Sequence, residues 1–598
     1  MVIHRRSLLG CLFLILTAII FVVARALVEQ PSPAQRTYTF DDATLYFETD
    51  RTTVWQVGDC VTLHWQVENI SEIYWSQGPT VGVHTTPWCA RQQVAIPFFT
   101  IHLRDGSIIY LAPFGVYTLR TRLFLTTLPL LLLAGWCFGL HHFVARLFER
   151  LHRTLRSAFS VSCQVHPLLV ALFLGINAIV LWNALDHNPN VGYDAEGHYA
   201  NVLVLSQGRL PTREDSAEFF SPPLPYAFPA LVSRISGLSA TCDNPNAECY
   251  RPIQKLGQLQ NVLVSVIVTF MVLRIGARAH PDRVTPRAIA LFLLATLPVY
   301  YKTFAFMRGE PFVVLFTLLL CDHLLDMIRR SPRRRDALLI GLYGGMIVLS
   351  RQWGVLVLLG VVLWWVILML RQRIVALCLF YPALAGGAIA VMLGGWFYLA
   401  MIQQTGTTLA FNRPPDPDGK PPAFFTGLGG EQLFTYPFSP GYDGQAVPIF
   451  YTEIWGDYFG YFHLQRPPIP SRMPQDALGY MGRVNLVSLF PTLIFLIGLG
   501  YGIYTTIRFP IRADISLFTL CVITALMGFV WFVASYESGD ADTAKATYAL
   551  QIFPLLCLLT GDALNVLQQR RRSLFYLVVV LLTAVAIHNI PMYFSRIP

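Results

Sequence analysis

The chain has 598 residues, of which 54% are hydrophobic and 13% charged, and its mean hydropathy is +0.50. Soluble globular proteins carry about 25% charged residues, so this composition excludes a cytosolic enzyme, a disordered scaffold and a secreted disulfide mini-protein. The formal charge of +9 sits in short clusters between apolar runs, which is a membrane-topology signal rather than a nucleic-acid footprint.

Apolar segments of about 20 residues recur along the chain and predict a mainly α, polytopic membrane protein. Thirteen spans are expected, near 7–28, 123–143, 165–185, 257–275, 287–305, 311–328, 337–350, 353–371, 375–402, 486–507, 514–535, 547–567 and 574–591. Half of the 44 basic residues gather in alternate loops, among them Arg146, Arg150, Arg153 and Arg156, and later Arg329, Arg330, Arg333, Arg334 and Arg335. An excess of arginine marks the cytoplasmic side. The expectation is therefore a multi-pass cell-membrane protein with a cytoplasmic N-terminus. Its long loops, 29–122, 186–256 and 403–485, are then exported, and so is any chemistry they carry. Residues 1–28 read as an uncleaved anchor, although Arg5, Arg6 and Ala24-Arg25-Ala26 also fit a cleavable signal peptide.

The segment 29–122 reads as an exported β-rich module. Val61 to Val67 alternates with period two, and Asp105-Gly106 between two β-rich runs is a hairpin signal. A small sandwich is expected, with Cys60 and Cys89 either bridging its sheets on the oxidising side or standing as two buried free thiols. Residues 123–164 supply a second span and a basic linker, and 165–598 form the membrane core. Within loop 186–256, Cys242 and Cys249 are close enough in sequence to close a short disulfide loop.

The loop after the third span carries the most chemistry. It reads Tyr193-Asp194-Ala195-Glu196-Gly197-His198-Tyr199, followed by Gly208-Arg209-Leu210-Pro211 and Ser221-Pro222-Pro223-Leu224-Pro225-Tyr226. Carboxylates just outside a bilayer and among aromatics are costly without a partner. Such a group can accept a proton from an attacking hydroxyl or bind a cation. Asp194 equally reads as the N-cap of the segment that follows.

These motifs resemble the first exported loop of the GT-C glycosyltransferases, above all the protein O-mannosyltransferase and aminoarabinose transferase branch. The resemblance covers about residues 165–590 by order of elements. It implies a lipid-phosphate-linked sugar donor, transfer outside the cytoplasm, Asp194 as the catalytic carboxylate and Glu196 as its assistant. A second element agrees: Tyr301-Lys302-Thr303-Phe304-Ala305-Phe306-Met307-Arg308-Gly309-Glu310-Pro311 opens the next span with an acid and a proline. The family usually has Asp there, so Glu310 lengthens the reach by one methylene. Lys302 and Arg308 supply cations for an anionic lipid phosphate, with Glu310 orienting them. Interfacial snorkelling by Lys302 and an Arg308–Glu310 surface pair are the plainer readings. Lys545, ahead of Thr547-Tyr548, approximates the family's basic residue at this place, and Arg351 at a tight turn is a fourth candidate cation.

The third exported loop is aromatic around Trp455 and Asp457; together with Tyr193 and Tyr199 these are candidate sugar or acceptor contacts, or else an interfacial segment. No nucleotide loop, zinc-spaced Cys/His set or serine-hydrolase elbow is present. No cofactor or metal is required, although the Asp-x-Glu pair leaves a divalent cation open. The expected function is sugar transfer from a polyprenyl-phosphate donor to an exported lipid, glycan or protein, with inversion at the anomeric carbon. The rival expectation is a transporter or flippase of the same lipids that breaks no bond.

Overall fold

The computed structural model describes residues 34–40, 43–51, 53–54, 59–75, 78–89, 94–95, 99–106, 108–111, 113 and 116–118 of the N-terminal part. It then describes 166–237, 248–330, 332–407, 411, 420–439, 444–463, 475–509, 512–536 and 542–596. The first two expected spans and Cys242 lie outside the described residues. The chain divides into two compact units, 1–160 with 469–472 and 598, and 161–468 with 473–597.

In the first unit, alternating side chains build two four-stranded sheets. One orders Ala34–Phe40, Ala43–Thr49, Cys60–Glu68 and Val83–Cys89; the other orders Ile108–Leu111, Phe99–Leu103, Ile70–Trp75 and Gly78–Thr80. Period-two patterning turns Val61, Leu63, Trp65 and Val67 inward from one strand, where they meet Phe47, Ile73, Phe99 and Ile101. The Asp105-Gly106 turn joins two antiparallel strands, with Gly106 at φ +87°, a conformation that a Cβ disfavours. Cys60 and Cys89 form a disulfide. They are directly paired on neighbouring strands of one sheet, so the bond staples a strand pair and does not cross between the sheets as expected.

The second unit is helical. Among the described residues eight helices are long and apolar enough to cross a membrane: Pro167–Asp186, Arg251–Ala279, Glu310–Arg329, Gly354–Arg371, Leu377–Thr405, Gly479–Arg508, Ala513–Ser535 and Ile552–Arg570. A ninth crossing is made if the pair Val284–Ala295 and Pro298–Ala305, bent by 61°, counts as one span. Pro298 has no amide hydrogen to continue the first helix, which is why the chain turns there. Amides from the neighbouring helix answer the carbonyls beyond the bend: Gln258 donates to Ala305, and Asn261 donates to Phe306 at 2.6 Å. The two remaining expected core spans are the 17-residue helices Arg334–Ser350 and Arg572–His588. At 1.5 Å per residue each is about 26 Å long, short of a hydrocarbon core of about 30 Å. The protein is thus a multi-pass membrane protein, with eight or nine helices long and apolar enough to cross among the described residues; two of the thirteen expected spans lie outside those residues.

Two features of this packing position the site. Helices Gly354–Arg371 and Ala513–Ser535 touch at glycines: a Cβ on Gly360 would lie 2.7 Å from the Cα of Cys521, and one on Gly528 2.1 Å from the Leu356 side chain. Close backbone approach of this kind is how membrane helices gain contact. It sets Trp353 beside Phe532, with ring centroids 5.7 Å apart. Helix Glu310–Arg329 also separates two charge clusters by its length of about 30 Å. Glu310 stands at one end; at the other, Arg274 and Arg278 pair with Asp322, while Arg330 pairs with Asp326 and Asp336.

Candidate active site

Asp194 precedes helix Ala195–Ser206 and occupies its N-cap position, yet its side chain makes no capping hydrogen bond. Its backbone is left-handed, at φ 56° and ψ 29°. Asn69 is the other positive-φ residue besides glycine among the described residues. A strained backbone of this kind is a pattern found at functional sites. The carboxylate points toward cations instead: its Oδ2 lies 3.6 Å from Lys545 Nζ and 4.0 Å from an Arg308 terminal nitrogen.

From there the charges alternate. Arg308 donates to both oxygens of Glu310, at 3.1 and 3.3 Å, and to the Tyr193 carbonyl at 3.0 Å. Glu310 also meets Arg351 Nε at 3.2 Å, and Arg351 donates to Glu218 at 3.0 Å. Lys545, Asp194, Arg308, Glu310, Arg351 and Glu218 thus form one run of three cations and three carboxylates. Buried charges persist only when paired and hydrogen-bonded in this way. Burial alone pushes the Asp194 carboxyl up, but Lys545 first, then Arg308 and Arg351, outweigh it and hold it below the ordinary aspartate range. For Glu218 burial prevails over Arg351, and its carboxyl is raised.

Four members of this run line a narrow cleft: Asp194, Glu218, Arg351 and Lys545. Thr543 adds a hydroxyl, and Phe220, Trp353, Phe411, Phe532, Tyr536 and Tyr548 form an aromatic wall. One half of the cleft therefore suits an anion and hydroxyl groups, while the other suits a flat or apolar body.

Several expected residues stand elsewhere. Glu196 is exposed on its helix and does not line the cleft; one residue separates it from Asp194, and that step turns it to another face. Lys302 is fully buried and lies 2.7 Å from Glu453 and 3.9 Å from Asp457. It is committed to a closed pair behind Tyr193 rather than presented to the cleft. Tyr193 is buried; its hydroxyl donates to Glu453, and its ring lies under Lys545, Arg308 and Lys302 at 5.0, 5.6 and 5.7 Å. Tyr199 donates to the Gln254 carbonyl, and Trp455 donates to Thr492. Asp457 accepts the backbone amides of Tyr461, Phe462 and His463. These contacts fold the loops, and none of Tyr199, Trp455 and Asp457 lines the cleft. Cys249 is disulfide-bonded.

Glu218 was not among the expected residues. Its backbone amide bonds Ser216 Oγ, its carbonyl accepts from Asn201, and its Oε2 accepts from Ser221 at 2.5 Å. A Cβ on Gly197 would meet its side chain at 3.1 Å, so the Gly of the Tyr-Asp-x-Glu-Gly stretch makes room for it. The weak sequence clue was an acid three residues before Ser221-Pro222-Pro223.

No family model and no curated protein matches the chain. Among solved structures it is similar to ArnT from Cupriavidus metallidurans, solved in the apo state and bound to undecaprenyl phosphate. For the bound form the identity is 15% over 71% of this chain and 75% of that one, with a TM-score of 0.41. It is also similar to the Archaeoglobus fulgidus oligosaccharyltransferase, at 12% identity over 72% of this chain and 53% of that chain, with a TM-score of 0.39.

Proposed function

We propose that the chain is a membrane glycosyltransferase of the GT-C kind that moves a sugar from a polyprenyl-phosphate carrier to an exported hydroxyl. One observation carries the reading: a carboxylate free of capping duty, on a left-handed backbone, faces a cleft between an ammonium and a guanidinium. In this scheme Asp194 accepts the proton of the acceptor hydroxyl. The acceptor oxygen attacks the anomeric carbon, the bond from that carbon to the phosphate oxygen breaks, and its electron pair leaves with the lipid phosphate. Lys545 and Arg308 receive the negative charge that develops there, and Arg351 extends the positive field. Displacement from the opposite face inverts the anomeric centre. The aromatic wall offers stacking for the sugar ring or the first isoprene units.

The site stands at the end of helix Glu310–Arg329 opposite the arginine cluster, which by the positive-inside rule supports an exported site. A flippase is less well supported, because carriers hold ionisable groups near mid-span. The test is to incubate purified protein with a panel of polyprenyl-phosphate sugars and measure release of lipid phosphate. Release that needs an acceptor and disappears in Asp194→Asn supports transfer; transport without release defeats it.

A further inference from the structure

We propose that, in the resting protein, the Asp194 carboxylate occupies the subsite that the donor's phosphate takes during turnover, so that the arriving anion strips Asp194 of its counter-cations and makes it a base. The inference rests on the reading above. A single oxygen, Oδ2, lies within 4.0 Å of both Lys545 and Arg308, and an anionic oxygen set between an ammonium and a guanidinium is what a bound phosphate would also present. Two anions cannot share that place, and the six-charge run is already neutral when all its members are ionised. Of its three carboxylates, Asp194 is the one able to yield: its side chain is 31% exposed, against 5% for Glu218 and 0% for Glu310.

The cations differ in the same sense. Arg308 is fully buried and fixed by Glu310 and the Tyr193 carbonyl, so it stays in place. Lys545 lines the cleft on a flexible four-carbon stem, so it can turn from Asp194 to an incoming phosphate. A carboxylate held by two cations is a weak base, and one that has lost them recovers basicity. Donor binding would therefore switch on the group that deprotonates the acceptor, and would discourage proton transfer in an empty site. The charged and titratable groups facing Asp194 are Lys545, Arg308, Arg351, Glu218 and Tyr548.

The test is equilibrium binding of polyprenyl monophosphate to the purified full chain in detergent. Asp194→Asn keeps the side chain's shape, and asparagine tolerates the left-handed backbone. It should bind the lipid phosphate about tenfold tighter, the equivalent of one pKa unit of interaction removed. Lys545→Met should bind at least about tenfold more weakly on the same scale, and the surface control Arg209→Gln should match the native chain. A second readout is the pH profile: the acid limb of kcat, with donor bound, should lie above that of kcat/KM for the donor. Asp194→Asn that has lost transfer but binds lipid phosphate no tighter overturns this inference alone. Asp194→Asn that still transfers sugar overturns the catalytic reading beneath it.

Discussion

Glu310→Asp is the most informative single change, because it keeps the charge and shortens the reach by one methylene. The carboxylate would retract by about 1.3 Å along its own stem. Its contacts to Arg308 at 3.1 and 3.3 Å and to Arg351 at 3.2 Å would then exceed 4 Å, beyond hydrogen-bond range. Two fully buried guanidinium groups would share a carboxylate that reaches neither well. Charged hydrogen bonds are each worth about 1.5–3 kcal/mol, and breaking a buried pair costs about 3–5 kcal/mol. Relaxation of the helix start should recover part of this, leaving a loss of about 2–4 kcal/mol. Arg308 would also lose its register against Asp194, so turnover should fall by about 10–100-fold. Thermal unfolding in detergent and lipid-phosphate release, both compared with Glu310→Gln, measure the two effects. Native stability and native turnover in Glu310→Asp would refute the claim that this carboxylate sets the position of both arginines.

Four further outcomes are expected. Asp194→Asn should remain folded and lose at least about 100-fold in turnover, the usual contribution of a positioned base. Lys302→Met should destabilise the protein by about 3–5 kcal/mol by leaving Glu453 buried without its cation; a stable variant with weakened donor binding alone would return Lys302 to the phosphate. Gly197→Ala should push Glu218 aside and lower turnover, and a native rate would show that Glu218 has slack. Because the cations hold Asp194 below its ordinary value of 3.8, it is already ionised above that pH in the free protein. The kcat/KM for the donor should therefore show no acid limb from this group between pH 5 and 7, and a limb there that vanishes in Asp194→Asn would contradict the pairing.

The tyrosine-flanked Asp194 was legible because an acid beside a span, among aromatics and before a Pro-Pro-Leu stretch, is a local pattern. Arg308, Glu310, Arg351 and Lys545 were legible as charges beside apolar runs, and the fold brings them onto one network. What sequence could not convey was allegiance. Lys302 and Arg308 are six residues apart on one turn, yet the first is bound to Glu453, 151 residues away, and the second faces Asp194. Glu218 escaped notice because nothing local distinguishes a buried acid from a solvated one; only the space left by Gly197 and the approach of Arg351 do so. The lengths of the spans were hard to read for a related reason. Hydropathy counts apolar residues, whereas crossing also needs length, and Arg334–Ser350 is buried partly by packing against its neighbours.

The glycine crossing between helices Gly354–Arg371 and Ala513–Ser535 has a consequence for substrate range. Gly360 lies about 10 Å below Trp353, and Gly528 about 6 Å below Phe532, along their helices. A methyl group at either point would act as a shim, prying the two rods apart at depth and spreading the rings at their tips. The gauge of the aromatic slot is thus adjustable from within the lipid layer, by a residue that never meets the cargo.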